Sequence, residues 1–310
     1  MTTASKMYLL HCLSPVHVGA GQGVGFIDMP IMRERVTQWP LIPGSSVKGV
    51  KREQFRLHQQ GNTDNWLDAA FGKQGDADGS AGSLVMSDSK LLVFPVASYY
   101  GTYAYVTCPM AIQRLERDLE AAGLTGARLN WNEIFGELGS VADGIEAALF
   151  LPDSKVTGHA ETGSTDIYLD EFQFHGIKSE QLKQWGDWLE RHLFGDDMLS
   201  GKLLKERLVL VNDEAFQYFV TMCCEVVPRI RIKQQQKTVD DGALWHEEYL
   251  PAESIMYGLV WCDNVYRAAS RLTREELLDK LSGEAIIQIG GNASVGKGRV
   301  RCRYAEGAAR

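Results

Sequence analysis

Paired cysteine spacing is absent from this chain. The six cysteines (Cys12, Cys108, Cys223, Cys224, Cys262 and Cys302) form no C-x-x-C pair and keep no ligand spacing with histidine. A structural zinc site is therefore not expected. No apolar run approaches the roughly 20 residues that a membrane span needs, which predicts a protein without a membrane partner. The start, MTTASKMYLLHCL, lacks a basic head, a long apolar middle and a convincing cleavage site. The expectation is a cytoplasmic protein with reduced cysteines. Regular βαβ units and internal repeats are missing as well, which argues against a doubly wound sheet and favours an α+β fold.

What is present is ordinary in bulk and uneven in detail. The chain has 310 residues, 45% hydrophobic and 23% charged, enough for one decorated domain or two. Its net charge of −8 conceals segregation. Residues 29–56 hold six basic and two acidic side chains, while residues 227–238 and 290–303 hold four basic and none acidic each. Those windows carry +12 and leave −20 for the rest, so a basic groove on an acidic body is possible.

β-forming and helical patterns alternate irregularly. Residues 7–13 read as a buried strand, and a helix is expected from Ser45 or Ser46 to about Gln60, with Val47, Val50 and Leu57 as core contacts. Residues 83–107 are strand-like, 112–122 helical, 167–174 a strand and 179–194 a helix. Residues 216–227, 229–233 and 254–262 read as strands, 273–281 as a helix, and 285–289 and 299–304 as final strands. The region 123–204 is the least readable.

Four segments carry chemistry. Ser14 to Asp28 (SPVHVGAGQGVGFID) has glycines at 19, 21, 23 and 25, which allow close backbone approach, yet no G-x-G-x-x-G fits. The helix after Gly44-Ser45-Ser46 places Lys48, Arg52 and Arg56 on one face with Lys51 beside them, behind an N-terminus suited to phosphate. Residues 291–297 nearly spell a P-loop, but Gly298 stands where Ser or Thr belongs and a strand follows instead of a helix, so an NTPase reading fails twice. What remains is a glycine loop (Gly290, Gly291, Gly296, Gly298) feeding a strand with Lys297, Arg299, Arg301 and Arg303 on one face. A solvated edge strand would look the same. Finally, Arg229, Arg231 and Lys233 alternate with Ile230 and Ile232, and a hairpin across residues 238–242 would pair them with LWHEEYLP. Such a basic, aromatic hairpin can clamp a nucleic-acid strand, and an ordinary charged hairpin would read alike.

Together SPVHVGAGQGVGFIDMPIMRE, PLIPGSSVKGVKR, LWHEEYLPAES and IQIGGNASVGKGRV resemble the RAMP superfamily, RNA-binding proteins of CRISPR effector complexes, and within it the repeated backbone subunit of type III-B (Cmr) complexes. The resemblance covers about the first 56 and last 70 residues. It implies a ferredoxin-like, RRM-related core in a single domain over 1–310, with residues 61–204 inserted and a hairpin thumb at about 228–250. It also implies copies stacked along a crRNA beside other Cmr-complex subunits, and cleavage of guide-paired target RNA at regular intervals with Mg²⁺ or Mn²⁺. Matched position by position, it places the cleavage and metal-binding residue at Asp28, with His17, Glu247 and Tyr249 as further cleavage-site residues. Glu248 is an equal alternative to Glu247. Guide contacts are implied at Lys48 and Arg52, and the remaining RNA contacts expected are the basic and glycine positions above. RNA carries its own nucleophile, the 2′-OH, so a carboxylate with a divalent ion suffices in principle. The rivals are a non-catalytic crRNA scaffold with the same basic features and a stand-alone RNA-processing endonuclease.

Overall fold

The computed structural model describes residues 4–21, 23, 26–58, 66–73, 80–142, 144–159, 165–233, 237–266 and 272–305. Its centre is the strand Ala4–Cys12. Strand geometry sends alternate side chains to opposite faces, and here both faces are apolar. Tyr8, Leu10 and Cys12 join one buried cluster, and Met7 and Leu9 join a second. A strand apolar on both sides needs cover on both. The helices Gly44–His58, Asp213–Met222 and Arg274–Asp279 contribute Val47, Phe216, Phe219, Leu277 and Leu278 to the first cluster. Glu180–Leu193 contributes Leu182, Trp185, Leu189 and Leu193 to the second. Each fully buried side chain of this size contributes about 2 kcal/mol.

Around that strand the order is Ser89–Ser98, Ile255–Cys262, Ala4–Cys12, Arg299–Tyr304 and Glu284–Gln288, each neighbour antiparallel to the next. Both ends of the chain thus build one unit. Beyond Ser89–Ser98 the same 14-stranded sheet continues through Thr102–Thr107, Leu208–Leu210, Ile145–Phe150, Phe172–Lys178, Thr165–Leu169 and Thr157–His159. Two of those pairings are parallel, Leu208–Leu210 with Thr102–Thr107 and Phe172–Lys178 with Ile145–Phe150. The fold is mixed α/β. The least readable region extends the sheet with short strands: Thr165–Leu169 pairs with both Thr157–His159 and Phe172–Lys178, and Phe172–Lys178 runs parallel to Ile145–Phe150.

A separate two-stranded hairpin joins Glu225–Ile232 to Val239–Tyr249. Its turn lies earlier than residues 238–242: the Lys233 amide donates to the Thr238 carbonyl at 2.9 Å and the second arm begins at Val239. Residues 234–236 lie outside the described ones.

Other expectations need correction. Residues 216–222 are helical, since the Asn212 side chain accepts from the Ala215 amide at 2.7 Å and Asp213 and Glu214 occupy the first turn. The basic helix begins at Gly44 without a serine cap: Gly44 N donates to Asp88 Oδ1 at 2.9 Å and Ser46 N to the Pro43 carbonyl at 2.9 Å. Residues 59 and 60, its expected end, lie outside the described ones, and Leu57 is 58% exposed. Arg299–Tyr304 is not an edge strand, because Ala4–Cys12 and Glu284–Gln288 flank it. No helix among the described residues is long and apolar enough to cross a membrane.

The C-terminal glycine loop supports a stability test. Gly290 has φ +79° and a Cβ there would lie 2.2 Å from the His17 carbonyl oxygen, whereas Gly296 has φ +80° and open space. Gly296→Ala is expected to cost only the left-handed backbone penalty, about 1–2 kcal/mol. Gly290→Ala adds a backbone collision, so its loss in chemical denaturation should exceed that of Gly296→Ala clearly.

Candidate active site

The glycine-rich segment folds back on itself and lies along the hairpin's second arm. Gly19 bridges Ile31, Ala20 N donates to the Pro30 carbonyl at 2.9 Å and Met32 N to the Val18 carbonyl at 2.8 Å. Val16 bridges Leu250 and Met29 bridges Glu247. Residues 22, 24 and 25 lie outside the described ones. The C-terminal glycine loop closes the other side, with Gly291 N on the His17 carbonyl and Gly298 N on the Pro15 carbonyl, both at 2.9 Å. Three of the four segments singled out in the sequence therefore converge, through backbone bonds across more than 200 residues of chain.

The four expected cleavage residues gather on this frame. Asp28 keeps a half-exposed side chain, and its Oδ2 accepts the His246 amide at 2.7 Å, with His246 Nδ1 at 3.6 Å. His17 is 5% exposed, and its Nδ1 lies 2.7 Å from the Glu248 carbonyl oxygen. Opposite a carbonyl, Nδ1 must carry the proton, so Nε2 is the nitrogen of the neutral ring that accepts one. The His17 and Tyr249 rings lie 5.6 Å apart.

The structure separates the two glutamates. Glu248 Oε1 pairs with Arg33 Nη2 at 2.5 Å and Oε2 accepts the Ile31 amide at 3.0 Å. That carboxylate fastens the glycine-rich segment. Glu247 turns the other way: it accepts from the Tyr249 hydroxyl, from Trp245 Nε1 at 2.8 Å and from Asn292 Nδ2 at 3.0 Å, with Arg229 Nε at 3.6 Å. Burial pushes its carboxyl upward, but Tyr249, Trp245, Arg229 and His17 together outweigh that and hold it below the usual carboxylate range. Burial and the Glu247 carboxylate push the Tyr249 phenol up to about 12, so it remains a neutral donor. Lys297 Nζ sits 4.6 Å from the centre of the Tyr249 ring.

Asn292, Trp245, His246 and Arg33 were missed by sequence reasoning. Asn292 gave a faint signal, an amide within a glycine run, and it adopts φ 62° there. The other three act through partners that tertiary contacts supply.

The expected basic surface is partly taken up within the protein. Lys51 is 2% exposed, with Nζ 2.8 Å from Gln54 Oε1 and over the Phe55 and Tyr304 rings, so its place is in the core and not on an RNA face. Lys48 Nζ donates to the Leu84 carbonyl at 2.7 Å, and burial lowers its pKa. Arg52 faces Asp68 at 4.0 Å and Arg56 pairs with Glu53 at 2.6 Å. Arg301 pairs with Asp197 at 2.9 Å, and Arg303 lies 3.6 Å from Glu284. Arg299 stays exposed; Arg231 and Lys233 share Asp240 at 4.0 and 3.8 Å.

For a divalent ion, no group of three or more His, Cys, Asp or Glu converges among the described residues. Glu247 is engaged by its neighbours, which leaves Asp28 as the exposed carboxylate. One carboxylate fits an ion held largely by phosphate oxygens, as Mg²⁺ often is.

The RAMP superfamily model matches residues 9–301, and the chain belongs to that superfamily. Over 306 residues it is 33% identical to the CRISPR system Cmr endoribonuclease Cmr4 of Pyrococcus furiosus, covering 97% of this chain and 96% of the relative. The CRISPR system CMR subunit Cmr4 of Saccharolobus solfataricus is 25% identical over 321 residues, with 97% of each chain covered. The crystal structure of oligomeric Cmr4 from Pyrococcus furiosus superposes with a TM-score of 0.68 at 27% identity, covering 99% of both chains.

Two stability measurements separate the glutamates. Glu248→Ala leaves Arg33 buried without its carboxylate and is expected to cost about 3–5 kcal/mol in chemical denaturation. Glu247, with its folded pKa depressed, contributes stability that is present above the unfolded value near about 4.3 and disappears as pH falls through the folded value. The stability difference between wild type and Glu247→Gln should therefore be constant from pH 7 to 5 and narrow below about pH 4.

Proposed function

We propose that this chain is the crRNA-binding backbone subunit of a type III-B CRISPR effector complex and that it cleaves guide-paired target RNA at regular intervals. The observation that carries the reading is the half-exposed Asp28 carboxylate, fixed by the His246 amide at 2.7 Å on a frame that also holds His17, Glu247 and Tyr249. The names of its relatives, an endoribonuclease and an oligomeric Cmr4, agree with it. The complex would act in the cytoplasm, with further copies stacked along the guide and other Cmr-complex subunits at hand. Arg52, Arg56, Arg231, Lys233, Arg299 and the glycine-loop backbone at 290–298 would follow the RNA.

The same reading takes Ala4–Cys12, Gly44–His58, Ser89–Ser98, Ile255–Cys262, Arg274–Asp279 and Arg299–Tyr304 as a ferredoxin-like, RRM-related palm. Its support is their chain order, strand–helix–strand–strand–helix–strand, together with the antiparallel neighbours noted above. Residues 61–204 are then an insertion into a single domain over 1–310, and the hairpin at about 228–250 is its thumb.

In the cleavage step Asp28 takes the proton of the 2′-OH, the 2′-oxygen attacks the adjacent phosphorus, and the bond to the 5′-oxygen breaks. That oxygen takes a proton from water and leaves as a 5′-hydroxyl, and a 2′,3′-cyclic phosphate remains. Asn292, Trp245 and Arg229 hold Glu247, which with Tyr249 and Lys297 fixes the polar wall beside His17. Where Asp28 instead holds a divalent ion, that ion would supply positive charge to the phosphate.

Asp28→Ala in the reconstituted complex should lower cleavage of a guide-complementary RNA by at least about 100-fold, the scale of a lost general base. Assembly and RNA binding should persist, and EDTA should mimic the loss. Regular cuts that survive in Asp28→Ala would leave this chain as the scaffold.

A further inference from the structure

Beside Asp28 stands an aromatic side chain that the cleavage reading does not use. Phe26 is 75% exposed, and Met29, on the other flank of Asp28, is 41% exposed. The Phe26 ring lies tilted against that of His246, with centroids 4.8 Å apart and planes 32° apart. His246 is the residue whose amide holds Asp28 Oδ2, so one residue fixes both the ring and the carboxylate. Next to them opens a cleft of about 460 Å³, lined by Phe26, Ile27, Pro30, Arg33, Glu248 and Thr221. That size falls in the range of about 300–1,000 Å³ typical of small-molecule sites. Phe26, Ile27 and Pro30 give its lining apolar surface, and Thr221 and Gln38 add polar groups beside the mutually paired Arg33 and Glu248, a mixture that suits a flat heterocycle with polar edges.

The chemistry at Asp28 creates a ligand of that kind. A nucleotide stacked within a helix holds its 2′-OH away from the line of attack, so in-line cleavage requires the base beside the scissile phosphate to leave its stack. An unstacked base exposes its π-face, and proteins meet such faces with aromatic rings. We infer that Phe26, backed by His246, stacks the nucleobase flanking the scissile phosphate, and that the adjoining cleft receives its edge. The inference rests on Asp28 marking the cleavage position. Stacking accepts every base, so the cut site follows guide register and not target sequence.

The test uses the reconstituted complex with target RNA carrying 2-aminopurine at the nucleotide flanking a mapped cut. Asp28→Ala keeps the strand intact. The fluorophore should be quenched in Asp28→Ala and recover several-fold in Asp28→Ala/Phe26→Ala. On natural RNA, Phe26→Ala should cut roughly tenfold more slowly, consistent with the loss of one stacked base, and Phe26→Trp should retain most activity. An abasic nucleotide at that position should slow wild type similarly and leave Phe26→Ala no further loss. Unchanged fluorescence, or equal cleavage of natural and abasic RNA by wild type and Phe26→Ala, overturns the inference. So does a shortened assembly in Phe26→Ala by native mass measurement, which would make the ring a contact between copies. A wild type that binds but never cuts overturns the cleavage reading separately; 2-aminopurine walked along the guide-paired target in Asp28→Ala and Asp28→Ala/Phe26→Ala then reads the stacking contact by itself.

Discussion

The pairing of Arg33 with Glu248 at 2.5 Å lies where the glycine-rich segment crosses the hairpin's second arm, and the site depends on it. Arg33 also reaches the Gln38 and Val220 carbonyls at 2.6 and 3.0 Å, so one guanidinium joins the segment after Asp28 to the helix leading into the hairpin. The Glu248 carbonyl orients His17, and the second carboxylate oxygen of Glu248 accepts the Ile31 amide. A buried ion pair gains little net stability over an apolar replacement. Its value here is positional, because it sets the register in which His246 meets Asp28 and Glu247 faces Asn292.

That register lets consecutive residues of one strand serve different purposes. The His246 amide holds one carboxylate, the Glu247 side chain collects three donors, and Glu248 anchors the crossing segment. Alternation along the strand sends Glu247 and Glu248 to opposite faces. The Asp28 carboxylate thus sits on a segment without regular secondary structure, and that segment is held by the hairpin arm and by the C-terminal glycine loop.

Charge follows the same economy. The basic windows do not form one continuous cationic strip, since Lys51 is buried and Arg301 and Arg303 meet Asp197 and Glu284. The cations left toward solvent, among them Arg299 and Arg231, stand nearer the glycine loop and the hairpin. Cations so placed on a chain of net negative charge attract a polyanion locally while the whole surface does not.

Much was legible in the sequence. The apolar run of the first strand, the final strand's alternation and the broken P-loop are local patterns, and local sterics and side-chain periodicity suffice to read them. Asp28, His17, Glu247 and Tyr249 were legible as positions because short motifs carry them. The sequence by itself therefore determined the terminal strands and the glycine loops. Only the tertiary structure decided that Glu248 pairs with Arg33 while Glu247 meets Tyr249, Trp245 and Asn292, that Lys51 is core, and that residues 216–222 are helical. Those outcomes turn on partners between 3 and more than 200 residues away, and neither the spacing nor the type of a side chain specifies which distant group it will meet.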